Sequence, residues 1–369
     1  MRQKPFLAIL AICALIAVPL GMFIHAQVRT SSDAKPSIAA NVIANTPQSG
    51  ATAGQAQTTQ TTPYRLSGPY THQNLSIFLV HGNQSEPTKP FLTLQEALAQ
   101  KKVVVYETKS VNELTIENLS DMDVYVQSGD IVKGGDQDRM ISVDFIVPPK
   151  SGRMPIAAFC VESGRWSRRG NEASANFTSS ENVVATKDLK LAAKRAKSQE
   201  AVWDNVTVAQ DKLSNNVGGS VNAGASRSSL QLSMENDKVK ESTDAYTKAL
   251  AGIVKDKPDV IGYVFAINGQ VNSADIYSSN SLFTKLWPKL LTASAIEAVA
   301  ELQKSSTSEP ITADTVSGFL AAAEKGDASQ KEVTNRVNLV TREDDKSIFF
   351  ETRDRHQKDA WIHRNYIKK

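Results

Sequence analysis

The chain has 369 residues and carries 42 basic and 39 acidic side chains, so its formal net charge is +3. This near balance argues against the dense basic patch of a nucleic-acid-binding protein. Cys160 is the sole cysteine outside the N-terminal 26 residues, and the histidines are scattered. The sequence therefore has no ligand spacing for zinc or iron–sulfur sites, and it has no dinucleotide-binding fingerprint. We expect no metal, no cofactor and no nucleic-acid partner.

The N-terminus has the layout of a secretory signal peptide. Arg2 and Lys4 precede an uncharged apolar run over residues 6–24, and Ala26 offers a small residue for cleavage. This order predicts a signal peptide over residues 1–26. An uncleaved anchor is the alternative, because an apolar run of this length can just span a bilayer. We expect an exported, periplasmic or extracellular protein that contacts a membrane only through an uncleaved N-terminus.

A polar linker follows the signal segment. Residues 27–66 are rich in Ala, Thr, Gln and Ser and carry few charges. Such a segment cannot bury enough apolar surface to offset the entropy lost on ordering, which predicts a disordered tether. As a flexible coil it would span roughly 35 Å. Residues 67–369 suffice for a single large domain, whose stability must come from its core because Cys160 has no internal disulfide partner.

The first part of this domain, residues 75–166, predicts mostly β-structure. Alternating or β-branched patterns mark strand candidates at residues 76–80, 102–107, 113–118, 123–127, 138–147 and 155–162. One short helix is predicted from residue 94 to residue 101, because Thr93 and Glu96 have the spacing of a capping box.

The second part mixes helices and strands. Residues 188–256 predict a helical section, interrupted by a polar, glycine-rich loop at 215–229. The pair Asn268-Gly269 divides residues 260–277 into two strand patterns and predicts a hairpin with a type I′ turn.

Two more helices complete the hairpin-and-helix section, residues 260–325, and Pro288 is expected to kink or restart the first of them. Three strand candidates then end the chain within residues 335–367. Strands and helices come in blocks rather than in alternation. This favours an α+β fold with a mainly antiparallel sheet, a helical middle section and a C-terminal β hairpin.

Residues 129–166 form the most unusual segment, because a glycine turn, acids, arginines and a tryptophan meet in a β-rich context. Gly134 and Gly135 permit positive φ and allow backbone N–H groups to converge on an anion. Gln137 follows, and Arg139 can add a bidentate, charge-assisted grip. A tight β-turn with charged flanks is the alternative interpretation.

The end of the same segment offers a second group of candidates. Glu162 and Arg165 can pair with each other, or Arg165 can hold a carboxylate or phosphate. Trp166 can stack on a ring, a base or a sugar. A buried salt bridge capped by an aromatic residue explains the pattern equally well. The burial of the Glu162–Arg165 pair would distinguish the two interpretations.

The other reactive side chains of this segment favour structural roles. The acids fit no calcium loop, and we expect them to be solvated turn residues; they are Asp130, Asp136, Asp138, Asp144 and Glu162. Cys160 shares a strand face with apolar residues and is expected in the core. His363 is expected to be a hydrogen-bonded structural residue of a terminal strand.

The two strings GDIVKGGDQDR (residues 129–139) and CVESGRW (residues 160–166) resemble the signature of a prokaryotic family, the ARG and rhodanese-phosphatase-superfamily-associated proteins. Gln199 and Trp203 are similar too, as are residues 261–277 and 282–291. The family's domain associations imply nucleotide or ADP-ribose chemistry nearby but no particular reaction. The leader and tether of this chain argue against an intracellular nucleotide role.

The function expected first is an exported domain that binds a small anionic ligand or an envelope protein. Its ligand site combines a glycine turn with charged and aromatic side chains: Gly134, Gly135, Gln137, Asp138, Arg139, Glu162, Arg165 and Trp166. One alternative is a hydrolase for a phosphate- or glycan-like substrate, with Glu162 or Asp138 as general base. A second alternative is a structural envelope domain. The sequence does not decide whether the protein is an enzyme.

Overall fold

A computed structural model describes residues 63–83, 90–172, 175–184, 186–303 and 309–369. The predicted signal peptide and the predicted tether up to residue 62 lie outside these ranges. The tether prediction is wrong at its C-terminal end. Arg65 and Leu66 already pair with His81 and Val80 in a β-ladder, so the folded domain begins earlier than expected.

The described residues form an α+β fold, as predicted. Its strands are β1 (Arg65–His72), β2 (Leu75–His81), β3 (Leu92–Thr93), β4 (Val103–Ser110), β5 (Glu113–Asn118), β6 (Val124–Val126), β7 (Asp130–Gly134), β8 (Arg139–Ile141), β9 (Phe145–Val147), β10 (Arg153–Cys160), β11 (Phe177–Val184), β12 (Val260–Ile267), β13 (Gln270–Tyr277), β14 (Asp327–Glu332), β15 (Val337–Glu343), β16 (Ser347–Asp354) and β17 (Ala360–Lys368). Its α-helices are α1 (Leu94–Ala99), α2 (Lys187–Leu191), α3 (Gln199–Asn216), α4 (Leu230–Met234), α5 (Asp237–Leu250), α6 (Asn280–Ala300) and α7 (Ala313–Ala323).

An eight-stranded antiparallel sheet organises the domain, in the order β1-β2-β12-β13-β17-β16-β15-β14. It joins the N-terminal hairpin to the central one and then to the last strands of the chain. The predicted type I′ hairpin is confirmed, since Asn268 and Gly269 both have positive φ. The C-terminal strands thus continue one large sheet.

The middle of this sheet is covered on both faces. Leu75, Ile77 and Leu79 of β2 point into the main hydrophobic core. Phe78 and Val80, which alternate with them, point into a second core on the opposite face that α7 covers. Because both faces of β2 are buried, its sequence is a continuous apolar run and does not alternate between apolar and polar residues.

A six-stranded sheet in the order β11-β7-β8-β10-β5-β4 and a three-stranded sheet in the order β3-β6-β9 complete the β-structure. Strand β8 lies between β7 and β10. The register places Cys160 opposite Arg139. The topology therefore brings the glycine turn and the end of β10 together, although they are far apart in the sequence.

Helix α6 is largely buried and packs against α5, β11 and β12. Pro288 lies inside it, but the helix continues to Ala300 without the expected restart. Within the described ranges, no helix is long and apolar enough to cross a membrane.

The helical middle section is broken more sharply than its composition predicts. A π-helical turn, Ala192–Ala196, directly follows α2. Lys197 then adopts φ 50°, a left-handed conformation that ends the helix, and Ser198 caps the start of α3. Sequence periodicity does not distinguish π from α turns, and π turns occur frequently at functional sites.

Candidate functional site

The two sequence strings predicted to form a site do converge. The backbone N–H of Asp138 donates to Glu162 Oε2 at 3.1 Å. The Nη1 of Arg165 donates to the carbonyl of Gly135 at 3.1 Å, and its Nη2 lies 3.5 Å from that of Gly134. The β7–β8 turn and the loop after β10 are thus hydrogen-bonded across a sequence separation of about 30 residues.

Glu162 and Arg165 form the pair that the sequence suggested. Arg165 donates from Nε to Oε1 and from Nη2 to Oε2, both at 2.6 Å, which is a bidentate arrangement. Glu162 has no solvent exposure, and the Arg165 side chain is 9% exposed. The guanidinium of Arg165 is therefore neutralised from within the protein, so it offers little to an external anion.

Arg169, which the sequence analysis missed, is the matching partner of Asp138. Its Nη1 and Nη2 donate to the two carboxylate oxygens at 2.9 and 3.1 Å, and its Nη1 also lies 3.4 Å from Glu162 Oε1. We call Asp138, Glu162, Arg165 and Arg169 the arginine–carboxylate cluster. Arg169 lies three residues after Trp166. Its basic side chain is the only sequence feature that could have indicated a role in this cluster.

The two carboxylates of this cluster have no lone pair left for a substrate. Asp138 also accepts from the backbone N–H of Gly134 at 3.1 Å and from the hydroxyl of Ser229 at 2.9 Å. Burial raises the pKa of Asp138, whereas for Glu162 the hydrogen bonds, foremost those from Arg165, outweigh burial and lower the pKa. Neither group can take a proton from water without losing an existing bond.

Arg139 is the exception among these arginines. It has no solvent exposure, and its Nη1 donates to the carbonyl of Gln137 at 3.2 Å. Its Nη2 lies 3.5 Å from Glu107 Oε1, beyond a strong hydrogen bond. Among the described residues, its Nε and Nη2 have no hydrogen-bond acceptor. Trp166 lies over the guanidinium at 5.5 Å and is 47% exposed.

The glycine turn is shaped by close packing. Gly135 has φ +56°, and a Cβ at this position would lie 2.6 Å from Glu107 Oε2 and would also meet the ring of Phe177. Gly134 has φ 123° and directs its N–H to Asp138. The turn therefore requires glycine for both conformation and space.

We expect Gly135→Ala to lower the free energy of unfolding by more than about 1 kcal/mol, because it adds a steric clash to an unfavourable φ. Gly164→Ala is the matched control: Gly164 has φ +77°, but a Cβ there would meet nothing within 4 Å. Urea denaturation of both variants gives their free energies of unfolding, and the difference between the two losses measures the cost of the steric clash apart from that of the backbone conformation. Equal losses would contradict the close packing at Gly135.

The predicted solvation of the acids in residues 129–166 is wrong. They are at most 5% exposed, and each contacts a basic side chain, in the pairs Asp130–Lys289, Asp136–Lys109, Asp138–Arg169, Asp144–His363 and Glu162–Arg165. The amino-acid composition of this segment predicted exposed turns. In the structure these acids are buried, and a buried charge requires a partner.

Cys160 lies in the core, as predicted. Its thiol has no exposure, and burial raises its pKa to about 11. The side chain of Gln199 donates to its carbonyl and accepts from its N–H, both at 2.8 Å. Trp203 Nε1 donates to the Glu162 carbonyl at 3.2 Å, so α3 fixes this end of β10.

We expect Cys160 to resist alkylation in the folded protein, because little thiolate forms at neutral pH and the thiol is covered. Peptide mapping after iodoacetamide treatment should find Cys160 labelled in urea and unlabelled in buffer. Rapid labelling in buffer would show that the end of β10 opens readily.

A second buried cluster consists of Asp144, Asp275 and His363, which we call the histidine cluster. His363 Nδ1 lies 2.7 Å from Asp144 Oδ2, and its Nε2 lies 3.0 Å from Asp275 Oδ1. Burial opposes a charged ring, but the two carboxylates outweigh it and raise the pKa of His363. Ionised carboxylates only accept hydrogen bonds, so this arrangement favours the imidazolium form, in which both ring nitrogens donate.

The histidine cluster joins three parts of the chain. Asp144 precedes β9, Asp275 lies on β13 and His363 on β17. The ring of Tyr277 stacks on His363 at 4.5 Å. The sequence analysis considered Asp144 and His363 separately; their pairing, 219 residues apart, left no local signal.

A polar cleft of about 470 Å³ lies beside the arginine–carboxylate cluster. Lys133, the residue before the glycine turn, and Glu172, which accepts from Arg169 at 3.0 Å, both line it. Gln231 lines it too, and its buried Oε1 has no hydrogen-bond partner among the described residues. Among the described residues, no group of three or more metal-ligating side chains is arranged to hold a metal ion.

Comparison with models of known protein families identifies the family of this chain. The model of the ARG and Rhodanese-Phosphatase-superfamily-associated Protein domain matches residues 63–367. The chain belongs to this family. The match starts two residues before β1 and ends within β17, so the family domain coincides with the described fold. No curated protein and no solved structure matches the chain.

Proposed function

We propose that this member of the family is an exported domain that binds a small anionic ligand at Arg139, beneath Trp166. The observation that carries the proposal is that Nε and Nη2 of the buried Arg139 guanidinium have no hydrogen-bond acceptor among the described residues, although Glu107 lies within salt-bridge distance. Buried donors without acceptors are costly, and a ligand carboxylate or phosphate would supply the missing acceptors. The half-exposed Trp166 would form the cover that a ligand displaces or stacks on.

The neighbouring residues support a pre-organised site. Arg165 and Arg169 are held by carboxylates, so the loop that carries Trp166 is anchored on both sides of the tryptophan. The arginine–carboxylate cluster would act as the frame of the site, and Arg139 would contact the ligand. This division of roles replaces the expectation that Arg139 and Arg165 hold the ligand together.

The hydrolase alternative has less support. A general base needs a free lone pair within hydrogen-bond reach of a water molecule. Glu162 accepts from Arg165, Arg169 and the backbone of Asp138, and Asp138 is equally occupied. A purely structural domain is the stronger competitor, and it differs from our proposal in predicting no ligand at Arg139.

Isothermal titration with phosphate, citrate and uncharged glycerol tests the proposal. We expect saturable binding of at least one anion and none of glycerol, with Arg139→Lys weakening the anion about tenfold or more because the planar fork is lost. Arg364→Lys is the matched control, since Arg364 also lies over a tryptophan, Trp361, at 4.6 Å, but is paired with Glu351.

A domain that binds none of these anions, or binds them equally after Arg139→Lys, would overturn the proposed site. Because Arg139 is buried, its replacement can also affect folding. Trp166→Ala removes an exposed side chain and serves as a second variant, for which we expect weakened anion binding with an unchanged melting temperature.

Export is tested separately from ligand binding. Expression of the full chain in a bacterium, followed by fractionation and mass measurement of the N-terminus, should find the protein outside the cytoplasm. A mass that begins after Ala26 indicates a cleaved signal peptide, and the full mass in the membrane fraction indicates an anchor. Full-length protein in the cytoplasm would contradict export.

A further inference from the structure

A second cavity, whose lining includes neither Arg139 nor Trp166, has a volume of about 600 Å³. This volume lies within the range of small-molecule sites, roughly 300–1,000 Å³. Its walls are largely apolar and include Phe145, Leu339, Ile348 and Phe350. The proposed function makes no use of this cavity.

Lys194 is a buried charged residue of the cavity lining. It lies on the π-helical turn, is only 8% exposed and lines the cavity. Its ammonium donates to Asn365 Oδ1 at 3.3 Å and lies 4.4 Å from the centre of the Phe350 ring. In the described part of the chain, no carboxylate oxygen lies within salt-bridge distance of it. An ammonium has three donors, so two remain available.

Asp144 and Asp275 favour the charged form of Lys194 from beyond salt-bridge distance, but among the described residues each of them contacts other cations. Asp144 and Asp275 carry two negative charges, and His363 and Lys190 balance them, the latter at 4.0 Å from Asp275. Lys194 is therefore a surplus buried cation at the cavity wall. Burial lowers its pKa to about 8, so the ammonium is still the main form at neutral pH.

The rim of the cavity does not supply a counterion. Arg195 and Glu343 also line it, but they pair with each other at 2.7 Å. Lys197 and Lys331 add further positive charge at the wall. An occupant that complements this cavity has an apolar body and a negatively charged end.

We propose that this cavity binds an aliphatic monocarboxylate, with the carboxylate at Lys194 and the chain against Phe145, Ile348 and Phe350. The charge-assisted bond would satisfy the buried ammonium, and transfer of the chain from water would supply the hydrophobic contribution. The commitment to a carboxylate rests on charge complementarity. The apolar lining favours a hydrocarbon chain over a polar anion.

Titration of the full chain with decanoate, decanol and decylamine tests this proposal, because the probes share a chain and differ in the end group. We expect decanoate to bind saturably and at least tenfold more tightly than decanol, and decylamine to bind most weakly. Lys194→Met should remove the preference for decanoate while leaving decanol unchanged. Methionine replaces the ammonium by an apolar group of similar length, so the variant is expected to fold.

Two further variants make the test independent of Lys194. Leu339→Trp fills part of the cavity and leaves the ammonium in place, and it should weaken decanoate and decanol alike. Lys325→Met removes an exposed charge that does not line the cavity, and it should change decanoate binding less than twofold. Three results would each overturn the proposal. They are no saturable binding of decanoate, equal affinities for decanoate and decanol, and an affinity for decanoate that Lys194→Met leaves unchanged.

Discussion

Asp144→Ala is expected to lower the free energy of unfolding by about 3–5 kcal/mol, because removal of one partner leaves a buried charge uncompensated. Asp144 is 3% exposed and accepts from Ser128 N, Thr352 Oγ1 and His363 Nδ1, each at 2.7 Å. The substitution would break these bonds and leave the imidazolium with Asp275 alone. Urea denaturation near neutral pH measures the loss.

A histidine–aspartate pair with a half-exposed carboxylate provides the control for Asp144. His81 Nδ1 lies 3.1 Å from Asp259 Oδ2, and the Asp259 side chain is 50% exposed. We expect Asp259→Ala to cost less than about 1 kcal/mol, since solvent screens such pairs. Similar losses for Asp144→Ala and Asp259→Ala would show that water reaches the histidine cluster.

The same cluster should make stability depend on pH in a defined direction. The pKa of His363 is raised in the folded state, so its contribution is fully present below its unfolded pKa of about 6.5. This contribution is lost as pH rises through the higher folded pKa. The stability difference between wild type and His363→Gln should therefore shrink from about pH 6 toward alkaline pH. A difference that grows with pH would mean that His363 is buried in its neutral form.

Glu162→Ala is the second substitution with a large expected effect, a loss of about 3–5 kcal/mol in the free energy of unfolding. It would remove the acceptors of Arg165 Nε and of the Asp138 N–H and the stronger of the two acceptors of Arg165 Nη2, in a largely buried site. Chemical denaturation at neutral pH measures the effect, and circular dichroism shows whether the variant is folded.

Glu235→Ala is the matched control for Glu162. Its carboxylate pairs with Lys133 at 2.8 Å, but the side chains of Glu235 and Lys133 are 35% and 22% exposed. We expect a loss of at most about 1 kcal/mol there. If Glu162→Ala were no more costly than Glu235→Ala, the arginine–carboxylate cluster would not be the frame of this region.

Local signals in the sequence predicted local structure well. The Thr93–Glu96 capping box is present at the start of α1, and the Asn268-Gly269 turn joins β12 to β13. These features depend on residues a few positions apart. Strands β1 and β14 were missed because neither has a clear apolar alternation, and every residue of β14 is exposed. An edge strand of that kind has no hydrophobic pattern to detect.

The site could be predicted only in part. The two sequence strings do meet, and the Glu162–Arg165 pair follows from a spacing of three residues. The acids were assigned to solvent because their partners come from elsewhere, such as Lys289, which is 159 residues from Asp130. Pairing over such separations depends on sheet order, which a single sequence does not specify. The sequence does not show that Lys194 is buried without an ion-pair partner among the described residues, because its spatial neighbours are known only from the structure.

Tryptophan fluorescence during an anion titration tests the central claim most directly, because Trp166 lies over the guanidinium to which the ligand would bind. The account predicts that phosphate or citrate changes the emission of wild type and of Trp361→Phe with the same midpoint, and that Trp166→Phe abolishes the change. An emission change that persists in Trp166→Phe, or none in the wild type, would contradict an anion site at Arg139.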